Sequence, residues 1–138
     1  MSLHCDPDFD YPFHSGFADQ IGVGAGEGTT LHLPMPPKTQ WAEYQECLGK
    51  GLKRITEFGA QAVVISMGLD THEGDPCTIR RAGFGLQGLD YWEKGQMMAR
   101  NLKGLPIVII QEGGYRMETI GEAASNVVFG FYEEFQKV

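Results

Sequence analysis

The stretch "AVVISMGLDTHEGDP", residues 62–76, joins a short apolar run to a cluster of acidic residues and one histidine. The run from Ala62 to Met67 is rich in valine and isoleucine, is too short for a helix and does not alternate with charged residues. These features predict a strand that is covered on both faces, as in a parallel sheet. Because such sheets bind ligands beyond the carboxyl ends of their strands, the carboxylates that follow this run are candidate binding groups.

The segments on either side of this run predict two helices and one further strand. Apolar residues recur at intervals of three and four from Gln40 to Phe58, and Gly59 follows as a stop signal, so one amphipathic helix is expected there. A second helix is expected over about residues 90–102. The run "LPIVIIQ", residues 105–111, repeats the pattern of a buried strand.

The two ends of the chain complete the predicted order of elements. Thr119 and Glu122 have the spacing of a capping box, which predicts that a last helix begins there. The first 40 residues are dense in glycine and proline and are expected to be mainly loops, with short strands at residues 2–5 and 29–33. Strands that alternate with helices specify a parallel α/β sheet, so we expect one α/β domain over residues 1–138.

The composition limits the kinds of partner that the chain can have. Its 138 residues, 42% of them hydrophobic, suit one domain with a substantial core. The formal net charge of −7, from 11 lysine and arginine against 18 aspartate and glutamate residues, offers no basic face for phosphate groups. We therefore expect no nucleic-acid partner, and a cationic small ligand is more compatible with this charge.

Three cysteines, an odd number without paired spacing, argue against a disulfide framework or a cysteine-rich zinc site. No apolar run approaches the roughly 20 residues of a membrane span, and the acidic start lacks the features of a signal peptide. The sequence therefore predicts a soluble, cytoplasmic protein with no membrane partner. The cysteines are Cys5, Cys47 and Cys77.

Two features leave a structural and a functional interpretation open. The glycine-rich stretch "GVGAGEG", residues 22–28, is either a structural loop or a phosphate cradle, but it lacks the preceding strand and following helix of a dinucleotide fingerprint. The four histidines do not have zinc-protease spacing. His72 is either structural or a ligand that shares a face with Asp70 in an extended segment.

Asp70 and Tyr115 are the main candidates for chemistry, and each has two interpretations. Asp70 either caps the next turn, with Asp75 and Pro76 as a further turn signal, or it is a metal ligand. In "QEGGY", residues 111–115, paired glycines after a buried strand form either an ordinary turn or a turn that presents Tyr115. In the second case the phenol could donate a hydrogen bond to a developing oxyanion.

Four segments occur in order with a spacing that resembles the zinc-dependent histone deacetylase and acetylpolyamine amidohydrolase superfamily. The resemblance covers essentially the whole chain and is nearest to the acetylpolyamine amidohydrolases and the related bacterial and class II deacetylases. It implies a three-layer α/β/α fold of the arginase type with a mainly parallel sheet, and a zinc ion that polarises an acetamide carbonyl and activates water. The segments are "SLHCDPDFDYPF" at 2–13, "GAGEGTTLHLPMP" at 24–36, "VVISMGLDTHEGDP" at 63–76 and "IVIIQEGGY" at 107–115.

The resemblance also implies roles for individual residues. Asp70 would be a zinc ligand, and Tyr115 would stabilise the tetrahedral oxyanion. Other positions would line the channel for the acylated substrate or contribute to a structural site for a monovalent cation such as K⁺. The channel residues would be Tyr11, Cys77, Gly113 and Gly114, and the cation site would include Ser2 and Leu3.

The sequence departs from the family pattern in one large respect. The family's Asp-x-His zinc ligands and its paired histidines precede the segment that matches residues 2–13, and no His-His pair occurs in this sequence. We therefore expect the C-terminal portion of a deacetylase domain, inactive alone and with zinc absent or weakly bound. The parent substrate would be acetyl-lysine or an acetylpolyamine.

The alternative is a non-catalytic module that has kept part of the deacetylase fold and binds a ligand or associates with itself. If the neighbouring strand of the family's sheet is missing, the edge of the strand from Ala62 to Met67 is left without a hydrogen-bonding partner. Either residues 2–5 would move into the gap or the chain would form a homo-oligomer through this edge.

Overall fold

A computed structural model describes residues 1–77 and 83–137 of the chain. Four strands and three longer helices alternate along these residues, as the sequence predicts. The parallel α/β class is confirmed. The elements are β1 (Ser2–Cys5), β2 (His32–Met35), α1 (Trp41–Phe58), β3 (Val63–Met67), α2 (Gly88–Asn101), β4 (Ile107–Gln111) and α3 (Met117–Phe135).

The described strands form two separate parallel pairs. β1 pairs with β2, so that Ser2 lies opposite His32, and β3 pairs with β4, so that Val63 lies opposite Ile107. Residues 2–5 therefore lie beside β2 and have not moved against β3, so that part of the prediction is wrong. In each pair, both strands are bonded to a strand on one side only among the described residues.

The first helix follows the predicted periodicity closely. Tyr44, Leu48 and Leu52 are spaced on one face of α1 and are buried in the core. The helix ends at Gly59, whose backbone is left-handed, with a φ of 73° that favours glycine over other residues. The sequence therefore fixes both the position of α1 and the face that it buries.

β3 is covered on one face only, which corrects the expectation that both faces are buried. Val63, Ile65 and Met67 point into the hydrophobic core. Val64 lies on the opposite face and is 65% exposed. Among the described residues, the core covers only the face of the β3–β4 pair that carries Val63, Ile65 and Ile107. An apolar composition on both faces therefore does not by itself guarantee that both are covered.

Helices α2 and α3 pack closely because glycine occupies their contact. A Cβ atom on Gly95 would overlap the carbonyl oxygen of Val127, and one on Gly130 would overlap that of Trp92. The first residue of α3 is Met117, so the predicted capping box at Thr119 is wrong. The spacing occurs there inside an existing helix, where the backbone amides already have partners.

A capping box is present instead at the start of α2. The side chain of Gln87 accepts from the third residue of the helix, and Asp90 accepts from the backbone of Gln87. This box begins α2 at Gly88, slightly before the predicted start. The sequence carried this signal, since Gln87 and Asp90 have the spacing that the motif requires.

The glycine-rich stretch at residues 22–28 is a connection between β1 and β2. It contains one short 3₁₀ turn at Gly24–Gly26, and the chain continues into a strand, which agrees with the structural interpretation of the loop. The Thr29 hydroxyl donates to the carbonyl of Gly26 at 2.6 Å, and Arg54 donates to that of Gly28 at 2.7 Å. Of the helices within residues 1–77 and 83–137, none combines the length and apolarity needed to cross a bilayer.

Candidate active-site cleft

A cleft of about 920 Å³ separates β1 from β3. Its walls include residues of both strands, and its floor includes apolar residues of α1 and α2. The segments that follow β1, β3 and β4 contribute Tyr11, Asp70 and Tyr115 to the same cleft. The carboxyl ends of these strands thus meet at one place, as expected for a ligand site in a parallel sheet.

Asp70 is held against the turn that follows β4. The Leu69 amide donates to the carbonyl of Gly113 at 2.9 Å, which ties the ends of β3 and β4 together. Gly113 is buried, and a Cβ atom there would overlap the Asp70 carboxylate, so only glycine permits this approach. Burial raises the pKa of the Asp70 carboxyl above its ordinary value, and the nearby carboxylate of Asp75 raises it further.

Asp75 anchors the backbone that carries Tyr115, a role that sequence reasoning missed. Its side chain is 1% exposed. One carboxylate oxygen accepts from the Tyr115 amide at 2.7 Å, and the other accepts from the Cys77 amide at 2.9 Å. In the sequence, Asp75 and Pro76 suggest only a turn. In the structure, the buried Asp75 carboxylate also accepts hydrogen bonds from two backbone amides and so joins two segments of the chain.

The predicted channel residues lie around this anchor. Tyr11, Cys77 and Tyr115 line the cleft and are exposed, Tyr115 at 60%. Gly113 and Gly114 form the turn before Tyr115. The φ of Gly114 is 127°, and a Cβ atom there would press on Leu69 and Ile120 at 3.0 Å. The structure therefore brings the predicted catalytic, metal and channel residues to one end of the cleft, while their roles stay predictions.

The buried side chain of Tyr91 contacts the segment around Asp70. It is 0% exposed, and its hydroxyl lies 2.9 Å from the Thr71 hydroxyl and donates to the Leu69 carbonyl at 3.3 Å. Burial raises the pKa of its phenol well above the ordinary value, so the hydroxyl stays protonated and available as a donor. The two residues that flank Asp70 in the sequence are thereby fixed by one buried ring from α2.

Lys94 is a second buried group that sequence reasoning missed. It is 4% exposed and lines the cleft. Its ammonium lies 5.0 Å from the ring centroid of Tyr44 and 5.7 Å from that of Tyr91. The signal was present in the helical spacing, because Lys94 falls on the same face of α2 as Tyr91 and Met98, which are both buried.

His72 and His4 are both engaged in contacts within the protein. The Nδ1 atom of His72 accepts from the Gly74 amide at 3.0 Å, and its ring stacks on Tyr91, which favours the structural interpretation. His4 lies in the cleft wall, but its Nε2 donates to the Gly16 carbonyl and its Nδ1 contacts the Ser2 hydroxyl, both at 2.8 Å. Both ring nitrogens of His4 are therefore committed within the protein.

Ser2 and Leu3, the predicted contributors to a K⁺ site, lie in β1 on the wall of the cleft. The Ser2 amide donates to the Leu31 carbonyl at 2.9 Å, and the Ser2 hydroxyl contacts His4. These contacts account for the position of Ser2 in the strand. The cation site itself stays a prediction.

The residues present do not by themselves fit a zinc ion. Within residues 1–77 and 83–137, no three histidine, cysteine, aspartate or glutamate side chains converge where they could hold a metal. A catalytic zinc requires about three protein ligands and one open position. Asp70 can supply one oxygen ligand, so the remaining ligands would have to come from another segment of polypeptide.

The parallel strands and the cleft at their carboxyl ends define an α/β protein with its candidate site at the sheet edge. The histone deacetylase domain model matches residues 1–131. The acetylpolyamine amidohydrolase of Mycoplana ramosa is 41% identical over 129 residues, and acetylpolyamine amidohydrolase 1 of Pseudomonas aeruginosa is 39% identical over 130. The chain therefore belongs to the histone deacetylase domain family, whose members depend on zinc.

Solved structures agree with this assignment. The crystal structure of acetylpolyamine aminohydrolase from Burkholderia pseudomallei matches 96% of the chain with a TM-score of 0.86 and 32% identity. That of a deacetylase homologue from Aquifex aeolicus matches with a TM-score of 0.78 and 23% identity, which supports the fold alone.

The match covers most of this chain but a minor share of its relatives. The alignments with the Mycoplana ramosa and Pseudomonas aeruginosa enzymes each cover 94% of this chain and 36% of the relative. The Burkholderia pseudomallei structure is covered to 37%. The chain thus spans about a third of the length of the curated relatives that it matches.

Proposed function

We propose that this chain supplies part of the active site of an amide hydrolase that removes acetyl groups from acetylated amines. The observation that carries this proposal is the presence of Asp70 and Tyr115 at the same end of one cleft, although they follow different strands. The names of the Mycoplana ramosa and Pseudomonas aeruginosa relatives support acetylpolyamines as the substrate class. The net charge of −7 favours a cationic acetylated amine, which includes both acetylpolyamines and acetyl-lysine.

In this proposal Tyr115 is the hydrogen-bond donor to the carbonyl oxygen of the acetyl group. Negative charge develops on that oxygen when water attacks the carbonyl carbon, and a fixed donor lowers the energy of this state. Asp75 positions the donor, because its buried carboxylate holds the Tyr115 amide. The phenol itself is exposed toward the cleft, where a substrate can reach it.

Asp70 is proposed as one ligand of the metal that the family uses. Its carboxylate lies at the strand end, and its raised pKa reflects a burial cost that a bound cation would offset. One carboxylate is too few to hold zinc tightly, so we expect the isolated chain to be inactive. The other ligands, and the groups that transfer protons, would be supplied by polypeptide beyond the residues described.

The test is a chimeric enzyme in which this chain replaces the matched segment of the Mycoplana ramosa acetylpolyamine amidohydrolase. We expect the chimera to hydrolyse an acetylpolyamine or an acetyl-lysine peptide. Tyr115→Phe should lower the rate by about a hundredfold, because one oxyanion donor is lost while the fold is kept. The measurement is amine release under saturating substrate.

Tyr132→Phe is the matched control, since Tyr132 is an exposed tyrosine of α3 and does not line the cleft. The control should hydrolyse substrate at the rate of the unmodified chimera. A Tyr115→Phe chimera that is as fast as this control would remove Tyr115 from the mechanism.

The second candidate is a non-catalytic module that associates with itself. One observation favours it: the outer face of the β3–β4 pair exposes Val64, Val108 and Ile110 together. The same chimera separates the two functions. A folded chimera that binds zinc without hydrolysing either substrate would support the module, whereas turnover that depends on Tyr115 would exclude it.

A further inference from the structure

The ammonium of Lys94 lies inside the cleft, near the segment that carries Asp70. Lys94 is 4% exposed, and both residues line the cleft. The ammonium lies 5.7 Å from the ring centroid of Tyr91, whose hydroxyl lies 2.9 Å from the Thr71 hydroxyl and donates to the Leu69 carbonyl at 3.3 Å. One buried ring therefore contacts both Lys94 and the two residues that flank Asp70 in the sequence.

Three charged groups among the described residues act on the Asp70 carboxylate. Burial has the largest effect and raises the pKa of this carboxyl, and the carboxylates of Asp75 and Asp10 raise it further. A backbone hydrogen bond and the charge of Lys94 lower the pKa in part, because each favours the ionised form. Within the described residues, Lys94 is thus the cation that offsets the burial of this carboxylate.

Two aromatic rings hold the ammonium in this position. It lies 5.0 Å from the ring centroid of Tyr44, which is 5% exposed, in addition to its contact with Tyr91, which is 0% exposed. Contacts with ring faces are favourable for a cation but offset only part of the cost of removing it from water. Buried charges in proteins are normally paired, so a carboxylate in the same cleft is the expected partner of Lys94.

We propose that Lys94 is the internal counter-ion of Asp70, which offsets the charge of the buried carboxylate in the metal-free chain and opposes the binding of a metal ion to it. Like charges repel more strongly in a protein interior than in water, so a divalent cation at Asp70 is disfavoured by a nearby ammonium. The statement about metal rests on the proposed function, in which Asp70 is a metal ligand. The statement about the metal-free chain does not depend on that role.

A purely structural role for Lys94 predicts the opposite effect on metal binding. If the side chain only filled the space beside Tyr44 and Tyr91, its replacement would disturb the segment around Asp70 and weaken metal binding. If its charge opposes the metal ion, removal of the charge strengthens metal binding. The direction of the change therefore distinguishes the two roles.

The first test is a double-mutant cycle on the isolated chain, measured by urea denaturation at neutral pH with a chelator present. Lys94→Met removes the charge and keeps a long apolar side chain. Asp70→Asn should increase the folding equilibrium constant about tenfold more in the Lys94→Met background than in the unmodified chain, because the carboxylate has lost its counter-ion there. Lys94→Gln, which is polar but uncharged, should give the same result.

Lys53→Met is the matched control background, since Lys53 is an exposed lysine of α1. In that background Asp70→Asn should have the same effect as in the unmodified chain. Asp19→Asn, at an exposed position outside the cleft, should be additive with Lys94→Met. A cycle in which Lys94 and Asp70 are as additive as these controls would overturn the proposal.

The second test is the zinc affinity of the chimera built on the Mycoplana ramosa enzyme, measured by competition with a chelating dye. Lys94→Met should lower the dissociation constant for zinc roughly tenfold, because a repulsive charge is removed. Lys53→Met should leave it unchanged. Zinc binding by the Lys94→Met chimera that is equal to or weaker than that of the unmodified chimera would overturn the proposal.

Neither readout uses hydrolysis, so the two proposals can fail separately. A chimera that follows this pattern but hydrolyses nothing would leave the counter-ion standing and count against the proposed function. A chimera that hydrolyses substrate while Lys94→Met leaves its zinc affinity unchanged would do the reverse. A chimera that binds no zinc would count against the proposed function, and the cycle on the isolated chain would still decide whether Lys94 and Asp70 are paired.

Discussion

Asp70 and Asp75 lie in the same segment after β3 but make different contacts. Asp75 accepts two backbone hydrogen bonds and holds the segments of Cys77 and Tyr115 together. Asp70 lies against Gly113 at the end of β3, in surroundings that favour its neutral form. The contrast assigns a structural role to Asp75 and leaves Asp70 as the carboxylate that a bound cation would stabilise.

The raised pKa of Asp70 predicts a pH dependence of stability. Burial raises this pKa above its ordinary value of 3.8, so the folded chain holds the proton more tightly than the unfolded chain does. The free energy of unfolding should therefore fall as the pH rises from about 3.8 through the raised pKa. Asp70→Asn should remove this contribution and raise the melting temperature of the metal-free chain at neutral pH.

The measurement is thermal unfolding of the isolated chain across this pH range. Asp19→Asn is the matched control, because it makes the same chemical change at an exposed position outside the cleft. An identical pH dependence in the Asp70→Asn variant and the control would show that Asp70 does not bear a burial cost.

Sequence patterns identified the residues at the strand ends but not those that support them. Asp70 and Tyr115 directly follow strands, and position alone makes such residues candidates. The role of Asp75 depends on a contact with a residue 40 positions later, which no local pattern contains. Lys94 could have been suspected, because it shares a helical face with buried residues, but its charge favours a solvent-exposed position.

At the scale of elements, the close contact between α2 and α3 depends on glycine residues, which have no side chain at the point of contact. A methyl group at Gly130 would meet the carbonyl oxygen of Trp92, and backbone cannot move aside without displacing the helix. Gly130→Ala should therefore lower the free energy of unfolding by about 1 to 3 kcal/mol. Urea denaturation followed by circular dichroism measures this change.

Gly121 in the same helix provides the opposite case. It is exposed, and a methyl group there would meet no atom within 4 Å. Gly121→Ala should raise the free energy of unfolding by roughly 0.5 to 1 kcal/mol, because alanine loses less backbone entropy than glycine in a helix. Similar effects of the two substitutions would contradict the proposed close packing.

The positions of the helices and strands were largely predictable from the sequence, whereas the elements that pack against each of them were not. The periodicity of α1 and the apolar runs of β3 and β4 define these segments from short-range patterns. β2 begins at His32, later than predicted, because the loop from Gly22 to Gly28 extends through Thr29 and Thr30. The exposure of Val64 could not be predicted, since it depends on which other elements are present to cover the sheet.

At the scale of the whole molecule, the described chain has two parallel strand pairs that border one cleft. Apolar side chains of α1 and α2 and the side chain of Lys94 also line this cleft. The candidate catalytic groups lie at one end of the same cleft. Completion of the site by further polypeptide is therefore expected to take place at this cleft, and self-association of the isolated chain stays a prediction.

The most direct test of this account is the zinc content of the chimera built on the Mycoplana ramosa enzyme, measured after dialysis against a metal buffer. We expect about one zinc per molecule in the unmodified chimera and in the Asp19→Asn control. Asp70→Asn should lose the metal under the same conditions, because one of about three required protein ligands is gone. An Asp70→Asn chimera that retains one tightly bound zinc would contradict the assignment of Asp70, and with it the proposed site.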